Sequence, residues 1–389
     1  MRTTLRAMLW SMTIAIVSLA PRAGAGSGEA LAGGRPAASP VLRTVPIVGV
    51  STLAVDELSG HVFAVASPGG PTAVYTLDGR TGAILRRTPL AGQFASAFTV
   101  DGATGRVFVA TPRPSQVFVL DARTGALLRT VRLAGIPSAI AVDERTGRVF
   151  LAEADTGRVD VLDARDGAPL RTVPVGTRPL ALAVSASTGR VFVANLGGGS
   201  VSVLDARDGT PLRTVPVGGE PQFVAVDPGV GHAFVSGEYG ALSILDARTG
   251  ILVRAITVNI LSAQLAVDQQ THRVFLNILP DNGGAVNVYD SRTGNLLHTT
   301  PLNNVPVAAI PVVNQQTGHV LVLVSSTVGG KNLSGVGSGA MMVLDGLTGA
   351  ARNTVTVGHA LSLIAVNGQA QRAFGSTVND LVVLDAARL

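Results

Sequence analysis

At 389 residues with a formal net charge of +5 and no cysteine, the chain excludes disulfide scaffolding, thiolate chemistry and a lipidated cysteine. Its pI near 10.5 suggests a polyanion partner, yet losing Arg2, Arg6 and Arg22 with a leader leaves 27 basic against 25 acidic residues, too small an excess for a strong field on nucleic acid. Mean hydropathy is positive at +0.41, but no stretch after residue 20 offers about 18 uninterrupted apolar residues, so no membrane span is expected in the mature chain.

The first 25 residues stand apart. Arg2 and Arg6 precede an apolar core from Ala7 to Ala20, and Ala23-Gly24-Ala25 supplies a small-x-small cleavage site. This order predicts a Sec-type signal peptide over 1–25 and an extracytoplasmic protein, whether secreted, periplasmic or cell-surface, with an uncleaved anchor as the alternative. Residues 26–41, rich in Gly, Ala and Pro, read as a flexible lead-in to a single domain over 42–389.

From there on the chain repeats. An apolar pair ending in aspartate recurs at Asp78, Asp121, Asp163, Asp205, Asp246, Asp290, Asp345 and Asp385, with steps of 43, 42, 42, 41, 44, 55 and 40 residues. The unit from Ile140 to Gly176 holds four β-prone runs, IAV, RVFLA, VDVLD and LRTVPV, separated by Asp- and Gly-containing turns. A period near 42 of four short strands predicts an all-β propeller of four-stranded antiparallel blades. The fourth run alternates and carries proline at Pro46, Pro89, Pro174, Pro216 and Pro301, which places it at the outer edge. The first run then lines a central channel. Eight first strands are readable, so eight blades are expected, with seven as the alternative. The chain ends after a third strand, and residues 42–48 (LRTVPIV) read as the missing fourth, pairing into the last blade to close the ring.

The motif VFVAN at Val191–Asn195, followed by VSVLDARDGTPLRTVPVG at Val201–Gly218, resembles the YVTN family of β-propeller repeats, including YncE-like exported proteins. The resemblance spans residues 42–389, with Phe in place of Tyr in most units. It implies an exported, non-catalytic binding propeller and transfers no catalytic residue.

Strand order separates two faces. The first-to-second and third-to-fourth turns share one, with monotonous Asp-x-x-Thr-Gly and Asp-Ala-Arg-Thr-Gly sequences. Its Asp and Arg residues, such as Asp121 with Arg123 and Asp205 with Arg207, read as turn caps that exchange exposed charge pairs. His61, His232, His272 and His319 read as occupants of the arginine slot of the first turn, and no histidine pair has metal-ligand spacing.

The opposite face varies from blade to blade, so a ligand site is expected there. Candidates at the channel mouth are Glu153, Asn195, Arg178, Glu238, Gln222 and His359, with Asp155 and Asp281 nearby. The insertion at 325–340 holds Lys331, the only lysine, and Asn332; it is a candidate partner loop. The expected partner is a protein or a cell-envelope polymer. No catalytic residue, metal site or cofactor is expected, and Trp10, the only tryptophan, leaves with the leader. The alternative is a lactonase or other hydrolase of propeller fold, with Glu153, Asn195 and Glu238 around a calcium-type ion.

Overall fold

The computed structural model describes residues 40–389 apart from 68, 239–240, 259–262, 279–283, 303–310, 325–326, 329–330, 333–339, 358–360 and 378. The leader, most of the lead-in, Asp281 and His359 therefore lie outside the described residues.

Eight four-stranded antiparallel sheets are present, so the count of eight blades holds over seven. Blade three, made of Pro137–Asp143, Arg148–Glu153, Arg158–Asp163 and Pro169–Pro174, shows the common plan. The first strands touch one another in cyclic order, including blade eight against blade one, which closes the ring. Strand Val41–Val45 is the fourth strand of blade eight: Val45 pairs with Leu381, Thr44 with Val382 and Arg43 with Val383. It stops at Val45, short of the expected end at residue 48.

Second strands are buried along nearly their whole length, as in RVFLAE of blade three, whereas fourth strands show one buried residue among exposed ones. This burial gradient puts the proline-ended strand at the rim, where a missing donor costs no hydrogen bond within the sheet. Phe63, Phe108, Phe150, Phe192, Phe234, Phe275 and Phe374 occupy one register of the second strands and are fully buried. Each packs into the following blade: Phe108 joins Val142, Val149 and Leu151 of blade three, and Phe374 joins Leu53 and Val62 of blade one.

The turn between third and fourth strands seats against the preceding blade. Gly167 has φ +72, and a Cβ there would lie 2.5 Å from Val119 Cγ2 of blade two. Glycine is thus required twice over, by backbone and by space. In the insertion of blade seven, Thr327–Val328 pairs with Lys331–Asn332 as a two-residue ladder.

Candidate functional site

The monotonous face is consumed by structure. Asp78 Oδ1 accepts from Arg80 N–H at 3.1 Å, from Thr81 N–H at 2.7 Å and from Thr81 Oγ1 at 2.8 Å. The threonine hydroxyl and then its N–H hold this carboxyl below its ordinary range; at Asp246 and Asp345 the amide of Thr249 and of Thr348 acts first. The charge pairs differ from the sequence reading. Asp121 pairs with Arg106 at 3.4 Å and Asp205 with Arg190 at 3.3 Å, whereas Arg123 and Arg207 give the carboxylates only their backbone amides. Two residues after an aspartate, the turn directs the arginine side chain outward, while the residue opening the second strand lies directly across from it.

Those strand-opening residues also bind the next blade. Arg106 Nε donates to Arg165 O at 2.8 Å, Arg148 to Arg207 O at 3.2 Å and Arg190 to Arg248 O at 3.1 Å. His61 and His232 take the slot in blades one and five, with Nδ1 3.0 Å from Ala122 O and 2.8 Å from Ser291 O. His272 does not share it. It stands one place earlier, where other blades have glycine, with φ +55, and its Nδ1 lies 3.0 Å from Oδ2 of buried Asp227.

On the variable face, second-strand ends, their loops and the crossings meet. Glu153 and Asn195 fill equivalent places, opposite Pro137 and Pro179. Both are fully buried. Glu153 accepts from Gly135 N–H at 3.0 Å and from Thr156 Oγ1 at 2.7 Å. Asn195 Nδ2 donates to Ser202 Oγ at 2.9 Å and to Ser200 Oγ at 3.3 Å. Glu153 ties crossing to loop and Asn195 ties the end of its second strand to the third strand Ser200–Asp205, and among the described residues no hydrogen bond or ion pair joins them to Glu238. Nor do the described residues gather three His, Cys, Asp or Glu side chains into a metal-holding group.

Asp160, not singled out in the sequence, stands beside Glu153 and accepts from Thr172 Oγ1 at 2.6 Å. Burial, reinforced by the Glu153 carboxylate, pushes its carboxyl up. Its signal was an acid inside VDVLD, where the other third strands carry Tyr, Phe, Ser, Asn, Met or Val.

Arg178 is exposed with φ +51, and Gln222, Glu220 and Glu238 are half-buried. Phe94, Ile136, Arg178 and Glu220 each stand seven residues before the end of a first strand, at Asp101, Asp143, Ser185 and Asp227. Blades two to five thus present one side chain each at the same register of the mouth. Phe94 is 44% exposed, Ile136 41% and neighbouring Leu180 37%. The exposed apolar crossing residues are features that candidate selection by polarity passed over. Lys331 and Asn332 sit on the blade-seven ladder, away from this arc in chain order.

The family model described as "Outer membrane protein assembly factor BamB" matches residues 26–195 and again 70–227, together over half the chain. The two matches start 44 residues apart, close to one repeat. Among solved structures, BamB from Moraxella catarrhalis is 17% identical with a TM-score of 0.65, covering 89% of this chain and 99% of that one. Saccharomyces cerevisiae Sqt1 is 10% identical with a TM-score of 0.71 over the same shares, 89% and 99%. Kuenenia stuttgartiensis hydrazine synthase is 15% identical with a TM-score of 0.57, covering 76% of this chain and 96% of that one. At these identities the likeness speaks for the fold alone. No curated protein sequence matches the chain.

Proposed function

We propose that this chain, which belongs to the β-propeller family described as outer membrane protein assembly factor BamB, is an exported, non-catalytic binding propeller that holds a protein partner on its variable face. One observation carries the reading. The turn residues of one face are spent on stitching blades together, while the other face leaves Phe94, Ile136 and Leu180 exposed in consecutive blades beside Arg178, Gln222, Glu220 and Glu238. Exposed apolar side chains rimmed by polar ones suit protein recognition. The family description points to partners engaged in assembling outer-membrane proteins, and the leader over residues 1–25 suits that compartment. The YVTN-like reading of Val191–Asn195 rests on the residues themselves and agrees with export.

The test is affinity capture from an envelope fraction with the full chain and a Phe94→Ser, Ile136→Ser, Leu180→Ser variant. Loss of specific bands with an unchanged melting temperature supports the reading. Equal capture by both proteins would remove this face from the function.

A further inference from the structure

We propose that the monotonous face rests on an anionic phospholipid surface, through aliphatic and arginine side chains that the blades present at one register. The inference goes beyond partner binding on the variable face, which it leaves pointing away from the lipid. It begins from a backbone irregularity. In each of the eight blades, the pairing of third and fourth strands slips at the second residue of the fourth strand. In blade two, Leu127 pairs with Leu120 and Arg129 with Val119, so Leu128 is left over as a β-bulge.

The bulged residue is leucine in six blades, at Leu42, Leu85, Leu128, Leu170, Leu212 and Leu297. It is valine in blade five, at Val253. All seven are between 47% and 56% exposed. No hydrophobic cluster among the described residues includes any of them. A bulge re-aims a side chain, and edge strands commonly carry charge that discourages association. Here the bulge repeatedly presents an aliphatic group instead.

Arginine flanks it. Arg80, Arg123, Arg165, Arg207, Arg248 and Arg292 lie exposed in the preceding turns, and among the described residues no hydrogen bond or ion pair engages their guanidinium groups. A second arginine directly follows the bulged residue in blades one to five and eight, as Arg129 follows Leu128. Blade seven exchanges the two positions: Arg352 takes the bulge, and Leu347, 55% exposed, takes the turn. Acids do not cancel this charge. Asp121, Asp163, Asp205 and Asp290 are paired with strand-opening arginines, which leaves Asp78 and Asp246 against the six turn arginines. Exposed Asp166 and Asp208 pair with Arg129 and Arg171. Glu57 and Glu144 follow first strands, on the channel side of the face, and are half-buried.

Equivalent positions of a closed ring lie in one plane, which suits a flat occupant. A second copy docked face to face would set arginine against arginine. Nucleic acid would leave the leucines unanswered. An anionic bilayer answers both groups: aliphatic side chains enter the boundary of headgroups and acyl chains, and phosphates meet guanidinium groups.

The test is co-sedimentation with vesicles of equal parts phosphatidylcholine and phosphatidylglycerol, and with vesicles of phosphatidylcholine alone. The chain used starts at residue 26, so that the leader's apolar run cannot mediate binding; it keeps every strand of the ring. Binding to the mixed vesicles is expected, with affinity at least about tenfold lower on phosphatidylcholine alone. A Leu85→Ser, Leu128→Ser, Leu170→Ser, Leu212→Ser variant should lose at least about tenfold. An Arg80→Gln, Arg123→Gln, Arg165→Gln, Arg207→Gln variant should lose as much, and it serves alone if the first does not fold. Failure of the wild type to bind the mixed vesicles overturns the proposal, as does binding that persists in the variants. Loss in the arginine variant beside full binding by a folded leucine variant also overturns it, because any polyanion would behave so. Phe94→Ser, Ile136→Ser, Leu180→Ser should bind vesicles like the wild type; loss there would move the lipid contact to the variable face and overturn it.

Discussion

Arg372 of blade eight donates from Nε to the carbonyl oxygen of Arg80 in blade one, 3.3 Å away. The contact has the same form as Arg106 to Arg165 between blades two and three, although its two residues lie at opposite ends of the propeller sequence. Together with strand Val41–Val45, which adds to the last blade, it turns a linear array of repeats into a ring. An open array would leave two sheet edges, and closure removes the need for end caps.

The closing strand carries the first prediction. Deleting residues 41–45 exposes the edge at Leu381–Asp385 and uncovers Leu381 and Val383, both almost fully buried. The melting temperature should fall by many degrees, or the protein should aggregate on purification. A deletion variant that melts with the full chain would show that pairing with the N-terminal strand does not close the ring.

Arg106 and Arg123 test the division of labour between the two arginine positions. Arg106 donates to Arg165 O across a blade interface and pairs with Asp121, its side chain 26% exposed. Arg106→Ala should cost about 1–2 kcal/mol in denaturant unfolding. Arg123 supplies only its backbone N–H to the turn, so Arg123→Ala should stay within about 0.5 kcal/mol. Equal losses at the two positions would contradict the stitching role.

His272 and Gln371 hold the left-handed position filled elsewhere by glycines such as Gly105 and Gly147, with φ of +55 and +51. That conformation costs a residue with a Cβ about 1–2 kcal/mol, partly offset by the greater unfolded-state freedom of glycine. Gln371→Gly should therefore stabilise by roughly 0.5–1 kcal/mol. His272→Gly should destabilise by about 1–3 kcal/mol, because it removes a partner of the fully buried Asp227. Chemical denaturation of both variants reads the signs directly, and matching signs would sink this account of His272.

The turn carboxylates set an acid limit. Asp78, Asp246 and Asp345 have folded-state affinities for protons below the ordinary value of 3.8, so the ionised form is the one stabilised by folding. Their contribution is fully present above that value and is lost as pH falls through the lowered folded-state range. Glu57 and Glu144 act oppositely: burial, joined by Asp56 for the first and Asp101 for the second, raises them above 4.5. Their contribution favours the protonated form and fades as pH rises through the raised value. Replacing Thr81, Thr249 and Thr348 by Val removes the hydroxyl donors and should flatten the fall in melting temperature below about pH 4. An unchanged acid slope in the triple variant would count against the threonine hydroxyls.

The contrast between Glu153 and the aspartates explains what could be read from the sequence. Asp78 and its counterparts were legible as turn caps because in Asp-x-x-Thr-Gly turns the carboxylate bonds groups only two or three residues on. The blade count and edge strand followed from spacing and proline for the same reason. Glu153 looked like a ligand because a glutamate at a loop edge reads as solvated. Its burial depends on Gly135, 18 residues earlier, and on the shape of a crossing with no local pattern. His272 was misplaced by one residue because His-Arg in blade six stands where Gly-Arg stands in blades two to four.

Calcium titration addresses the hydrolase alternative. A propeller that works through a channel ion would bind it only when folded, and saturating metal at a hundred times its dissociation constant would raise apparent stability by about 2.7 kcal/mol. Of the three residues that would form such a site, Glu153 already spends both carboxylate oxygens on Gly135 and Thr156, whereas Asn195 is held through its amide nitrogen by Ser200 and Ser202. Reorienting Glu153 toward an ion would break its two buried hydrogen bonds, each costing about 1–3 kcal/mol when left unmade. Thermal unfolding with calcium, magnesium or zinc should therefore show no metal-dependent shift that Glu153→Gln abolishes. Glu153→Gln should itself lower the melting temperature with or without metal, since the amide replaces one of two acceptor oxygens used in the blade. A rise with calcium that disappears in Glu153→Gln would revive the hydrolase reading and displace the non-catalytic one.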